Sequence, residues 1–172
     1  DAGSFKVIFS ESQSSKPVQF PDALPEKARF STVHVELERA VSLADPEYIE
    51  ETLKMDLEKS PAQEHYDRWS EENQKCISQL FGFPLLVQGY MRIECALVDN
   101  GFDVGDETGY GEKELDELSP EANEWILLFQ LDPDDSRIGI PWAGSDRMFF
   151  WIKQTDLMAR RFEKAWMIRQ SP

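Results

Sequence analysis

The sequence predicts an α+β fold: a mostly antiparallel sheet with two consecutive amphipathic helices, in a single domain. Three observations carry this. A length of 172 residues suits one domain with one sizeable core. Two blocks of helical periodicity stand side by side between residues 45 and 82, and strand-like apolar runs dominate the chain beyond them, which is the segregated order of an α+β chain. Aromatics make up 12% of the residues, with 11 Phe and 5 Trp, a load that argues for a packed globule even though 30% of the chain is charged.

Each element has its own local signal. Residues 10–25 are rich in Ser, Gln and Pro and read as a surface arm, so residues 1–29 are expected to form an extended N-terminal arm and 30–172 the folded domain. Residues 33–38 alternate apolar and polar, predicting a strand with Val33, Val35 and Leu37 on its buried face. Asp45-Pro46 is a helix start, an N-cap acid before a proline at the first helical position, and Ile49, Leu53 and Leu57 give its apolar stripe. Ser60 with Gln63 reads as a capping box for a second helix carrying Tyr66, Trp69, Ile77 and Leu80, with Gly82 as its C-terminal stop.

Residues 84–88 are a short apolar strand, and 91–98 suggest another. Residues 99–111 hold four Gly among several acids and read as a loop, with a helical turn or two after it over 112–118. Residues 125–131 are apolar everywhere except Gln130, the pattern of a buried strand. After a turn at 132–135, residues 148–152 form a second buried strand. Asp156 caps a short helix reaching Arg160 and Arg161, and 165–169 form the last strand.

Charge is the strongest compositional signal. The net charge is −15 and the sequence pI about 4.5. This argues against non-specific binding to nucleic acid or to an anionic membrane, since phosphates would be repelled. Residues 94–135 hold 14 acids and one base, Lys113, for a net of −13, whereas residues 136–172 carry +4. Such a run is either a solvated loop or a patch that meets a basic partner or a cation. The aromatics Phe102, Tyr110 and Trp125 within it favour the partner.

No apolar run approaches the roughly 18 residues of a spanning helix, and no signal-peptide pattern is visible. With two cysteines, Cys76 and Cys95, neither in metal-ligand spacing, a reducing and cytoplasmic setting is expected. The two histidines, His34 and His65, have no nucleophile motif beside them. GxSxG, HExxH, Walker A and GxGxxG are all missing, so no catalytic residues and no cofactor are expected. Calcium loops fail on spacing: counted from Asp99, position 3 is Gly101; counted from Asp132, position 6 is Arg137. No metal site is expected.

Four segments carry a family resemblance: 82–89 (GFPLLVQG), 125–134 (WILLFQLDPD), 142–152 (WAGSDRMFFWI) and 156–170. In this order they resemble the YwqG-like family of bacterial proteins. The third block departs from the family's Trp-Gly-Asp, because Ala143, Gly144 and Ser145 separate Trp142 from Asp146. The resemblance implies an α+β fold without an established enzyme activity. Because some members occur near polymorphic toxin genes, it also implies an immunity role.

The expected function is therefore an immunity-type binding protein that neutralises a cognate toxin by stoichiometric contact, through Phe102, Asp103, Asp106, Glu107, Tyr110, Glu112 and Glu114. The alternative is an enzyme or small-ligand binder with a pocket near Trp142, Asp146 and Arg147, since Trp142 sits in a turn beside both charges.

Overall fold

The computed structural model describes residues 5–11, 19–29, 34–73, 78–105, 110–132 and 146–171. Its elements are α1 (Pro46–Leu53), α2 (Gln63–Asn73), β1 (Gln79–Leu80), α3 (Arg92–Asp99), α4 (Glu112–Ala122), β2 (Trp125–Leu131), β3 (Arg147–Lys153), α5 (Gln154–Met158) and β4 (Trp166–Gln170). The strands form one antiparallel sheet in the order β1-β2-β3-β4. The α+β reading holds.

The sheet is buried on both faces, which is why β2 and β3 read as continuous apolar runs. On one face Trp125, Leu127, Phe149, Trp151 and Ile168 pack against Met91, Cys95, Ala96 and Ala122 from the helix layer. On the other, Leu128, Ile152 and Ala165 meet Val7, Leu157 and Phe162. Each fully buried large apolar side chain contributes roughly 1.5–3 kcal/mol relative to exposure. The register shifts between Leu127 and Phe129, so Phe129 returns to the face of Phe150 and Gln130 to that of Phe149. The N-terminal segment contributes to the second layer: Phe5 lies edge-on to Phe150, and Phe9 stacks on Phe162 at 5.0 Å.

Several expectations are corrected. Within 33–38, Val33 lies outside the described residues, and residues 34–40 form no strand: Val35 is 63% exposed and Leu37 79%. Alternation without a neighbouring strand to share its hydrogen bonds does not make a ladder. Residues 91–98 are helical. Met91, Cys95 and Ala96 lie one turn apart on a buried face, and short apolar runs do not separate the two periods. Gly101 ends this helix in the left-handed region at φ 85°, the Gly101 N–H bonding to Val98 O and the Phe102 N–H to Leu97 O, a Schellman motif.

Asp45 caps α1 as expected, accepting from the Tyr48 N–H at 2.9 Å. The helix is shorter than its stripe, however. It closes at Lys54, which adopts the left-handed conformation (φ 54°, ψ 36°), a backbone that costs a residue with a β-carbon about 1 kcal/mol relative to glycine. Leu53 is thereby exposed, while Leu57 is buried in the following turn. The Ser60 hydroxyl accepts from the Ala62 N–H, and Gln63 reaches forward to Asp67, so no capping box forms. α2 ends at Asn73 with no buried residue, Ile77 lies outside the described residues, and Gly82 belongs to the turn after β1. There φ is 77°, and a β-carbon would collide with Ser42 Oγ, which accepts the Phe83 N–H. Helix α4 runs beyond the expected 112–118, through Pro120 to Ala122, held by burial of Ala122 and by the Glu121–Lys153 ion pair.

Residues 84–88 are not a strand. They cross the helix-side face of the sheet as an irregular strap whose backbone groups are met by side chains. Gln130 Oε1 accepts from the Leu85 N–H at 2.8 Å, and Gln170 Oε1 accepts from Val87 and Gln88 at 2.9 and 3.0 Å. Gln170 Nε2 donates to Gly89 O, Gln79 Nε2 to Phe83 O, and the Arg147 guanidinium to Leu85 O. Replacing Gln170, 4% exposed, with Leu strands three backbone groups and is expected to destabilise the protein by about 2–3 kcal/mol. The exposed Gln88→Ala is expected to stay within about 0.5 kcal/mol. Urea denaturation and amide exchange at Val87 and Gln88 check this; equal midpoints for the two variants would contradict the clamp.

Candidate functional site

The acidic run is sorted by the fold. Lys153 donates to Asp99 at 2.6 Å and to Glu121 at 2.7 Å. Burial opposes the Lys153 charge, yet these two carboxylates outweigh it and hold the pKa above its ordinary value. Asp132, buried, forms an ion pair with Arg147 at 2.7 Å. Glu114 accepts the Gly111 N–H at 2.9 Å, the half of a capping box open to a glycine N-cap, and that bond holds its carboxyl below the usual range. Asp103 accepts from the Gly105 N–H at 2.9 Å and remains exposed.

Left exposed on α4 and at its C-terminal end are Glu112, Asp116, Glu117 and Glu124, with Lys113 3.6 Å from Glu117; Asp116 borders a crevice against α1, and the other three form the outer acidic face. Phe102 and Tyr110 are half-buried at the two ends of the loop that enters α4. Asp106 and Glu107 lie outside the described residues.

The expected pocket residues part company. Trp142 lies outside the described residues. Arg147 turns to the helix-side face, held by Asp132 and Leu85 O, whereas Asp146 pairs with Arg169 at 3.2 Å on the opposite face. Among the described residues no group of three or more His, Cys, Asp or Glu is placed to hold a metal ion. His34 and His65 are exposed. Cys95 is fully buried, and burial pushes its thiol well above the ordinary pKa, which makes it a core residue; Cys76 lies outside the described residues.

A crevice of about 440 Å³ opens elsewhere, between α1 and α4. Glu47, Thr52 and Lys54 line one side; Leu115, Asp116, Ser119, Ala122 and Asn123 line the other; Tyr90 and Ile93 lie between them. Behind Tyr90 sits Arg92, 7% exposed, its guanidinium 4.6 Å from the Tyr48 ring centroid and 5.9 Å from those of Tyr90 and Trp151. Three electron-rich ring faces offset the desolvation of this cation and tie α1 to the sheet. The Tyr90 hydroxyl is sealed from solvent beside Thr52, outside full hydrogen-bond geometry, and burial pushes its pKa up to about 12.

The family described as a domain of unknown function, DUF1963, matches residues 1–170. The chain belongs to this family. No curated protein and no solved structure matches it. The match takes in the N-terminal residues, which agrees with the packing of Phe5 and Val7 on the sheet. Among the described residues of this DUF1963 domain no helix is long and apolar enough to cross a membrane.

Sequence reasoning missed the crevice and the Arg92 cage. Their residues come from separate segments, and no local pattern marks Lys54 as a helix stop or Arg92 as a caged cation. One consequence concerns Tyr90. A phenol whose folded pKa is raised favours the folded state fully below about pH 10, and that contribution is lost as pH rises toward 12. Tyr90→Phe is therefore expected to flatten the alkaline loss of stability between those values, measured by urea unfolding across the range. An unchanged slope would show that other groups carry it.

Proposed function

We propose that this DUF1963 chain is an immunity-type binding protein, which neutralises a cognate bacterial toxin by direct stoichiometric contact with a basic surface of that toxin. The observation that carries the reading is the sorting of the acids. Asp99, Glu121 and Asp132 are committed to internal ion pairs and Glu114 to a helix cap, while Glu112, Glu117 and Glu124 stay exposed away from the crevice, with Lys113 as the one base in the same stretch of sequence. Folding thus leaves carboxylates on the outside of α4 that have no structural duty beyond one long, exposed pair.

An outward negative face of this kind steers a basic partner toward it and speeds encounter. The loop that enters α4 adds Asp103, with Asp106 and Glu107 beside it in sequence, and Phe102 and Tyr110 as aromatic anchors of the type that concentrate binding energy. The resemblance to YwqG-like proteins, some of which accompany polymorphic toxins, supports the immunity role. Inhibition by occlusion needs no catalytic group on this chain.

The test uses the candidate toxin encoded beside the chain's own gene. Glu112→Lys with Glu117→Lys is expected to slow association at least about tenfold at low salt, to flatten its salt dependence and to remove protection, with an unchanged circular dichroism spectrum. Unchanged association and full protection would overturn the acidic-face reading.

A further inference from the structure

We infer that the crevice between α1 and α4 is a receptor site for a small zwitterion, a free amino acid. The site is distinct from the protein interface proposed above. Three charged side chains line it, Glu47 and Lys54 from α1 and Asp116 from α4; Glu47 has a partner of its own, and Lys54 and Asp116 are unpaired charges of opposite sign. Among the described residues neither has an ion-pair or hydrogen-bond partner for its side chain, although seven other bases of the described chain are paired with carboxylates. The two charges do not satisfy one another across the gap, so a single ligand carrying an ammonium and a carboxylate satisfies both. Thr52, Ser119 and Asn123 add hydroxyl and amide groups along the walls, and Ile93, Leu115 and the Tyr90 ring offer an apolar bed for a side chain. About 440 Å³ lies in the range of small-molecule sites and holds an amino acid with several waters.

The backbone supplies an independent argument. Lys54 is held at φ 54°, in the left-handed region where a helix stop favours glycine. Phe81 and Arg160 hold the same left-handed backbone, and of the three Lys54 is the one that lines the cavity, where a use for the side chain would offset the strain. Glycine at this position would relieve the backbone and delete the ammonium in one step, which separates a structural role from a binding role.

The experiment presents free L-amino acids singly to the intact protein, first by thermal shift and then by calorimetric titration, together with the N-acetyl and C-amide forms of each one that binds. The expected result is binding of at least one free amino acid at millimolar concentration or below, weakened about tenfold or more by capping either end. Lys54→Gly is expected to lose binding by about tenfold or more while its melting temperature stays level or rises, the pattern of a functional residue held at a cost in stability. Asp116→Asn is expected to weaken the free amino acid and leave the N-acetyl form unchanged. Glu112→Lys with Glu117→Lys, outside the crevice, is expected to bind the amino acid as the unaltered protein does. Unchanged association of that double variant with the protein partner would overturn the acidic-face reading alone and leave the receptor site standing. No binding by any free amino acid, equal binding of capped and free forms, or undiminished binding by Lys54→Gly would overturn the receptor site.

Discussion

The helix side of this domain depends on amide side chains that take the place of a missing strand. Gln130 and Gln170 stand on β2 and β4 among apolar neighbours, on the same face of the sheet as Arg147, and together they bond the backbone of residues 85–89. A strap of irregular backbone lying over a sheet would otherwise bury N–H and C=O groups without partners, which folding does not tolerate in number. Here one glutamine accepts from two consecutive amides and returns its own NH₂ to a carbonyl, so a single side chain serves three backbone groups. The strap delivers Leu86 to the core and ends at Met91, where α3 begins. The position of α3, and with it that of Arg92 and the inner side of the crevice, follows from this clamp.

Electrostatics divides in the same way between what the fold uses and what it leaves outside. A net charge of −15 is a self-repulsion that the folded chain must place. The structure sets its bases where they join distant segments: Lys153 ties β3 to the ends of α3 and α4, Arg147 ties β3 to the end of β2, and Arg160 ties the turn after α5 to Glu11. Arg92 is handled differently, by aromatic rings, so the inner end of α1 is held to the sheet without drawing another carboxylate inward. Acids that none of these bases reaches remain on the outer side of α4. The exposed face is a remainder left by internal pairing, and for that reason it is free to serve a partner.

Legibility in the sequence tracks how local the deciding interaction is. The strands over 125–131, 148–152 and 165–169 were readable because burial on both faces writes an unbroken apolar run. The start of α1 was readable because an N-cap acts within three residues. The extent of α4 was not, since Pro120 signals a stop that Ala122 burial and the Glu121–Lys153 pair override. Residues 91–98 were ambiguous because eight residues of mixed apolar pattern fit either period, although Asn100-Gly101 after them is a helix-stop signal. Residues 84–88 misled for the deepest reason: a buried apolar segment was read as a strand, while the groups that bond its backbone stand 45 to 83 residues away.

The sequence by itself determined the α+β class, the two-sided burial of the sheet and the concentration of negative charge between residues 94 and 135, because composition and short-range periodicity encode all three. It also marked Gln130 as the one polar residue in an apolar strand. Only the tertiary structure decided what that glutamine does, which carboxylates of the run are internal and which face outward, that Asp146 and Arg147 turn to opposite sides of the sheet, and that Lys54, Tyr90 and Asp116 meet around one crevice. These outcomes rest on contacts between segments far apart in the chain, whose pairing no local pattern records.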